Sequence, residues 1–199
     1  MDSEKIILPP NNCRVVVISG PSGVGKDSVI RELKKNGQYR HFVVTATTRK
    51  KRNKEVNGID YIFLTPTQFN NLLEENKFLE HAEVYGYQYG VPKSQVIDAL
   101  EKNLDVIIKA DVQGAFTIRK LIQDSLLIFI SPPHYEAIVQ RLTKRKTESS
   151  EQFSIRLSAA KQELDQSKLF DHVIINHDNK LQETVQSIES ILKKDDDQF

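Results

Sequence analysis

The chain has 199 residues, with 28 Lys and Arg against 27 Asp and Glu, a formal net charge of +1, and 39% apolar residues. This suits a folded domain of ordinary size and gives no support to a broad nucleic-acid footprint, so cations that matter here must act locally. Cys13 is the only cysteine, which excludes an internal disulfide and a Cys-based zinc site and fits a reducing cytoplasm.

The opening "MDSEKIILPPNN" lacks the basic n-region and long apolar run of a signal peptide. No apolar stretch approaches the ~20 residues of a membrane span. The expectation is a cytoplasmic protein without a membrane partner, monomer or homodimer, with frayed tails at 1–12 and 195–199.

"RVVVIS" (Arg14–Ser19) is a β-branched apolar run before a Gly-rich turn and reads as a fully buried strand. A helix follows, with Val29, Ile30 and Leu33 on one face and Gly37 as its stop. "HFVVTA" (41–46) and "DYIFL" (60–64) read as short strands. Between them and Val91 the chain is polar and rich in Thr, Asn and Tyr. Thr65–Pro66–Thr67–Gln68 is a helix start with Pro at the first helical position.

Strands at 105–110, 126–131 and 172–176 then alternate with helices at 114–122, 135–145 and 181–194. That rhythm predicts an α/β fold, a parallel sheet flanked by helices. The expected division is one domain: a core of 13–42, 92–141 and 156–194, an inserted α+β lobe at 43–91, and a polar flap at 142–155. Ser149 with Gln152 forms a capping box for a helix running from Ser150 to about Lys168.

"GPSGVGKDSV" (Gly20–Val29) nearly matches G-x-x-x-x-G-K-[ST]. A Gly-rich turn from strand to helix aims backbone N–H groups at one point, and the helix dipole adds to their pull on an anion. Gly20, Pro21, Ser22, Gly23, Val24, Gly25, Lys26, Asp27 and Ser28 are therefore candidates to hold ATP phosphates, with Lys26 reaching the β- and γ-phosphates. Asp27 stands where the pattern has a Mg²⁺-binding hydroxyl. Three readings remain open: its carboxylate binds Mg²⁺, it supports the helix dipole, or it repels phosphate. Ser28, one residue on, points ~100° away on a helix.

The polar lobe holds a second anion constellation. Arg49 and Arg52 lie three apart in "TTRKKR", followed by Tyr61 and Tyr89. Guanidinium forks and phenol hydroxyls suit a monophosphate. The competing reading is a solvated basic loop over core tyrosines.

"GPSGVGK", "TTRKKRNKEVNGIDY", "FLEHAEVYGYQYG", "DVQG", "RLTKRK" and "IRLSAAKQEL" occur in this order. Together, from about Val15 to about Ile191, they resemble the guanylate kinase family. The resemblance implies a P-loop NTPase-type core with a GMP-binding lobe and a helical lid. It also implies Mg²⁺-dependent phosphoryl transfer from ATP to GMP and dGMP.

It assigns the GMP phosphate to Arg49, Arg52, Tyr61 and Tyr89, and the guanine N1–H and 2-amino group to Glu80. Thr45 matches a Ser near guanine O6, and Asp111 an acidic residue beside base and Mg²⁺. Arg145 and Arg156 match lid arginines acting in catalysis with Lys26 and Arg49. Arg141 joins them, and Asn176 matches a residue near adenine. Asp27 and Asp111 are the metal candidates.

Three positions depart from the pattern: Asp27, Lys109 where the family is usually acidic, and Val91 where it often has Ser or Thr. Two alternatives follow, a ribose 1,5-bisphosphate phosphokinase, whose loop also reads "GKDS", and a non-catalytic guanylate kinase-like interaction module.

Overall fold

The computed structural model describes residues 13–36, 39–144 and 150–194. In chain order the elements are β1 (Val15–Ser19), α1 (Lys26–Leu33), β2 (Arg40–Phe42), β3 (Ala46–Thr47), β4 (Ile62–Phe63), α2 (Pro66–Glu74), β5 (Phe78–Val84), β6 (Tyr87–Pro92) and α3 (Lys93–Glu101), then β7 (Asp105–Lys109), α4 (Val112–Leu121), β8 (Leu126–Ser131), α5 (Tyr135–Lys144), α6 (Ser150–Asp165), β9 (His172–Ile175) and α7 (Leu181–Lys194). One sheet has the order β2-β7-β1-β8-β9 and a second the order β4-β3-β6-β5. The pairs β2–β7 and β8–β9 are parallel.

All five residues of β1 are buried, as are Leu127 to Ile130 of β8. Their unbroken apolar runs are what a strand covered on both faces requires.

The contacts divide the chain into two compact units. The first comprises residues 13–17 and 39–126. Here α3 packs on β7 and β5, and α4 on β5. The α2 start is as expected: Thr65 Oγ1 accepts from Gln68 N–H, Gln68 Oε1 accepts from Thr65 N–H, and Pro66 opens the helix.

The second unit comprises residues 18–36 and 127–194. Here α1 packs on α7, α7 on β9, and α5 on α6. Ile138, Leu142 and Ala160 form the α5–α6 seam with Tyr135, Phe153, Leu157 and Leu164 against it. Tyr135 Oη donates to the Leu157 carbonyl at 3.0 Å, tying the two helices.

Several expectations are corrected. The stretch 41–46 is not one strand. β2 pairs with β7, whereas β3 joins the other sheet. Val44, between them, is held by Gln95, whose amide accepts from Val44 N–H and donates to Val44 C=O. Local β propensity runs across this junction unbroken, and only sheet membership divides it.

The helix expected at 114–122 starts at Val112, because Asp111 caps it. The helix from Ser150 ends at Asp165, and a 3-10 turn covers Ser167–Leu169. The β5–β6 hairpin and α3 were not anticipated. Ser149, Gly37 and both tails lie outside the described residues.

Candidate active site

The phosphate loop belongs to the second unit. It leaves β1 and enters α1 through Gly25, which has φ +104° and no side-chain cap. A Cβ there would also lie 2.7 Å from Asn176 Nδ2, so only glycine fits both the left-handed backbone and the space. Lys26 Nζ donates to the Gly20 carbonyl and, at 3.1 Å, to that of Pro21. Its ammonium is thus held over the loop. Asp27 lies half-buried in the first turn of α1, and Ser28 is exposed.

Asn176 and Arg141 brace this loop. Asn176 is buried; its Nδ2 donates to the Val24 carbonyl at 2.8 Å, and its Oδ1 accepts from Thr184 Oγ1. Arg141 donates to the carbonyls of Val24 and Asn176 and to Asp178 Oδ1. Both residues hold the Val24 carbonyl, a bracing role that composition and motif did not reveal. Arg156, on α6, is 5% exposed and lies 3.5 Å from Ser22 Oγ. Arg145 lies outside the described residues.

The first unit carries the second cluster. Arg49 is 6% exposed and makes a two-pronged pair with Glu55 at 3.1 and 2.8 Å. It also donates to the Lys50 carbonyl. Glu55 Oε2 accepts the Arg52 N–H at 2.7 Å, closing the turn that holds both arginines. Burial pulls the Arg49 pKa down, but the Glu55 bond and the nearby Tyr89, Glu55 and Tyr61 hold it above the usual arginine value. Burial likewise opposes the Glu55 charge, yet Arg49 and the Arg52 N–H keep its carboxyl below the usual range. Glu55 was missed by the sequence reading. The available signal was a single acid in a basic run, three residues after Arg52.

The next loop sets Tyr61. Phe63 N–H donates to Asn57 Oδ1 and Gly58 N–H to the Tyr61 carbonyl, at 2.9 and 2.8 Å. The Tyr61 ring meets Tyr89 edge-on at 6.0 Å, and the Arg49 guanidinium stands 5.3 Å from its centroid. Arg49, Tyr61 and Tyr89 are therefore brought together. Arg52 donates its backbone N–H to Glu55, and its charge acts on the same carboxylate.

Glu80 is 6% exposed, and among the described residues no donor hydrogen-bonds to its carboxylate. The β5–β6 register shifts between Phe78 and Glu80, which places Glu80 opposite buried Val91. Such an irregularity re-aims a side chain. Burial, and then the Asp111 charge, push the Glu80 carboxyl up to about 8. Asp111 Oδ1 accepts the Gly114 N–H at 2.8 Å as the cap of α4. A Cβ at 114 would lie 2.9 Å from both Glu80 Oε1 and Asp111 Oδ1, so a glycine makes room for the two carboxylates. Thr45 is 5% exposed, and its Oγ1 donates to the Lys109 carbonyl at 3.3 Å.

A glycine-rich strand–loop–helix turn on a parallel sheet, with a second cluster of a buried arginine and half-buried tyrosines, defines a class: the α/β nucleotide kinases. The guanylate kinase family model matches residues 12–195. Guanylate kinase 2, chloroplastic/mitochondrial, of Oryza sativa subsp. japonica is 42% identical over 96% of this chain and 67% of its own length. The guanylate kinase of Clostridium tetani (strain Massachusetts / E88) is 39% identical over 89% of this chain and 84% of its own. The crystal structure of guanylate kinase from Anaplasma phagocytophilum aligns with a TM-score of 0.76 at 30% identity, covering 94% of this chain and 88% of that one. The chain belongs to the guanylate kinase family.

Proposed function

We propose that this protein transfers the γ-phosphoryl group of ATP to GMP, and to dGMP, releasing ADP with GDP or dGDP. The observation that carries the acceptor's identity is Glu80, a buried carboxylate with no donor of its own among the described residues. Guanine offers two N–H donors on one edge, at N1 and the 2-amino group. Adenine offers neither there and would leave the buried carboxylate unpaired.

Phosphoryl transfer asks the protein for position and charge rather than for a covalent step. The loop N–H groups and Lys26 would hold the ATP phosphates, with Arg141 and Asn176 keeping the loop in shape. Arg49, Arg52, Tyr61 and Tyr89 would hold the GMP phosphate, Thr45 and Glu80 the base. Arg156, with Arg145, would neutralise the migrating group from the lid. Water exclusion by lobe and lid would suppress ATP hydrolysis.

The donor set fits Mg²⁺. No group of three His, Cys, Asp or Glu able to hold a metal occurs among the described residues. Mg²⁺ commonly rests on one or two carboxylates plus substrate phosphates and water. Asp27, in the first turn beside Lys26, would supply the carboxylate, whereas Asp111 Oδ1 is engaged as a helix cap. The ion, when bound, neutralises charge on the β- and γ-phosphates. Asp27→Asn and Asp27→Ser are each expected to shift the Mg²⁺ concentration for half-maximal turnover. Superimposable Mg²⁺ titrations for both variants and the wild type would remove Asp27 as a ligand.

No helix among the described residues is long and apolar enough to cross a membrane. A cytoplasmic place in purine nucleotide metabolism, as monomer or homodimer, is part of the same proposal. The deciding experiment follows ADP from Mg-ATP with GMP, dGMP, AMP, UMP or ribose 1,5-bisphosphate. Rapid ADP release with GMP and dGMP alone is the expected result. Release with ribose 1,5-bisphosphate alone, or with no acceptor, would overturn it.

A further inference from the structure

Lys109 closes β7, and its ammonium stands 3.9 Å from the centroid of the Tyr61 ring. Arg49 stands over the same ring at 5.3 Å. A cation this close to a phenol face is attracted by the ring quadrupole and holds the ring in one orientation. The Tyr61 ring in turn abuts Tyr89 and Phe63, at 6.0 and 5.8 Å. Lys109 also meets the base side of the cluster, since its carbonyl accepts the Thr45 hydroxyl. One residue thus touches a group expected at the base and a group expected at the phosphate.

We infer that Lys109 is a positioning residue for the acceptor: through the Tyr61 ring it aims the phenol at the monophosphate. This rests on the reading of Tyr61 as a phosphate ligand. It predicts a phosphate-specific effect, because the ammonium acts through Tyr61 rather than on the purine. Lys109 is not placed to touch the reacting atoms, so its loss should change acceptor KM more than kcat.

The test compares wild type, Lys109→Met, Lys109→Arg, Tyr61→Phe and the Lys109→Met/Tyr61→Phe double variant. GMP and guanosine binding are measured by calorimetry, and KM and kcat by ADP release. Lys109→Met is expected to weaken GMP about fivefold, with guanosine binding and kcat unchanged. Lys109→Arg should restore GMP binding, and the double variant should be no weaker than the worse single one.

A wild-type enzyme that phosphorylates GMP, with a Lys109→Met variant of unchanged GMP affinity, overturns this inference alone. Equal loss for GMP and guanosine, or additive losses in the double variant, also overturn it. A wild type that does not use GMP overturns the acceptor reading and this inference together.

Discussion

Arg49→Ala is expected to lower kcat/KM for GMP by roughly 10³-fold, the scale of removing an arginine that neutralises phosphoryl charge. It should also destabilise the fold. Its partner Glu55 is only 15% exposed and would be left without its guanidinium. Breaking one side of a buried ion pair costs roughly 3–5 kcal/mol, and the residual exposure of Glu55 puts this case at the lower end.

The two effects are separable. In Arg49→Ala/Glu55→Gln the orphaned charge is gone, so thermal melting should recover most of the loss while turnover stays low. Wild-type turnover in Arg49→Ala would remove Arg49 from the site. Full recovery of turnover in the double variant would show that Arg49 acts only through stability.

Glu80→Gln is expected to lower kcat/KM for GMP by roughly 10²-fold when measured above pH 8, where the carboxylate form prevails, because a glutamine turns one of two acceptors into a donor facing the guanine 2-amino group. The pH dependence supplies a second readout. With its carboxyl pushed up to about 8, Glu80 is largely protonated at neutral pH, and the form that accepts both guanine donors grows as pH rises through that value. The KM for GMP should therefore fall across this window in the wild type and stay flat in Glu80→Gln.

Stability has the opposite slope. A folded-state pKa raised above the usual 4.5 means that the Glu80 contribution is complete below that usual value and is lost as pH rises through about 8. Denaturant unfolding across this range should show a slope in the wild type that the glutamine variant lacks. The same slopes in both proteins would assign the titration elsewhere.

The buried strands were legible without a fold, because β1 and β8, apolar up to their terminal serines, have the unbroken run needed to lie inside a parallel sheet. The loop between β1 and α1 was equally legible. Its glycines answer a local need, a left-handed turn and open backbone N–H groups, to which the closeness of Asn176 adds a tertiary one at Gly25. The cap of α2 is of the same kind, a reciprocal bond between residues three apart.

The partnerships were not legible. Residues 41–46 form a single β-prone run, and its division between two sheets depends on distant strands, with Phe42 paired to Ile107 and Ala46 to Gly90. Glu55 looked like one more charge in a polar loop until burial made it the counter-ion of Arg49.

Lys109 departed from its family's pattern with no reason visible in its neighbours. Its place over Tyr61, 48 residues earlier in the chain, comes from the packing of β7 and the 57–63 loop. What the sequence by itself determined is what short-range sterics and patterning dictate: the strand–loop–helix cradle, the alternation of strands and helices, and the kinds of charge present. Which charges meet, which are dry, and which ring a cation faces were decided by tertiary structure alone, because burial and Coulomb energy depend on distance in space rather than along the chain.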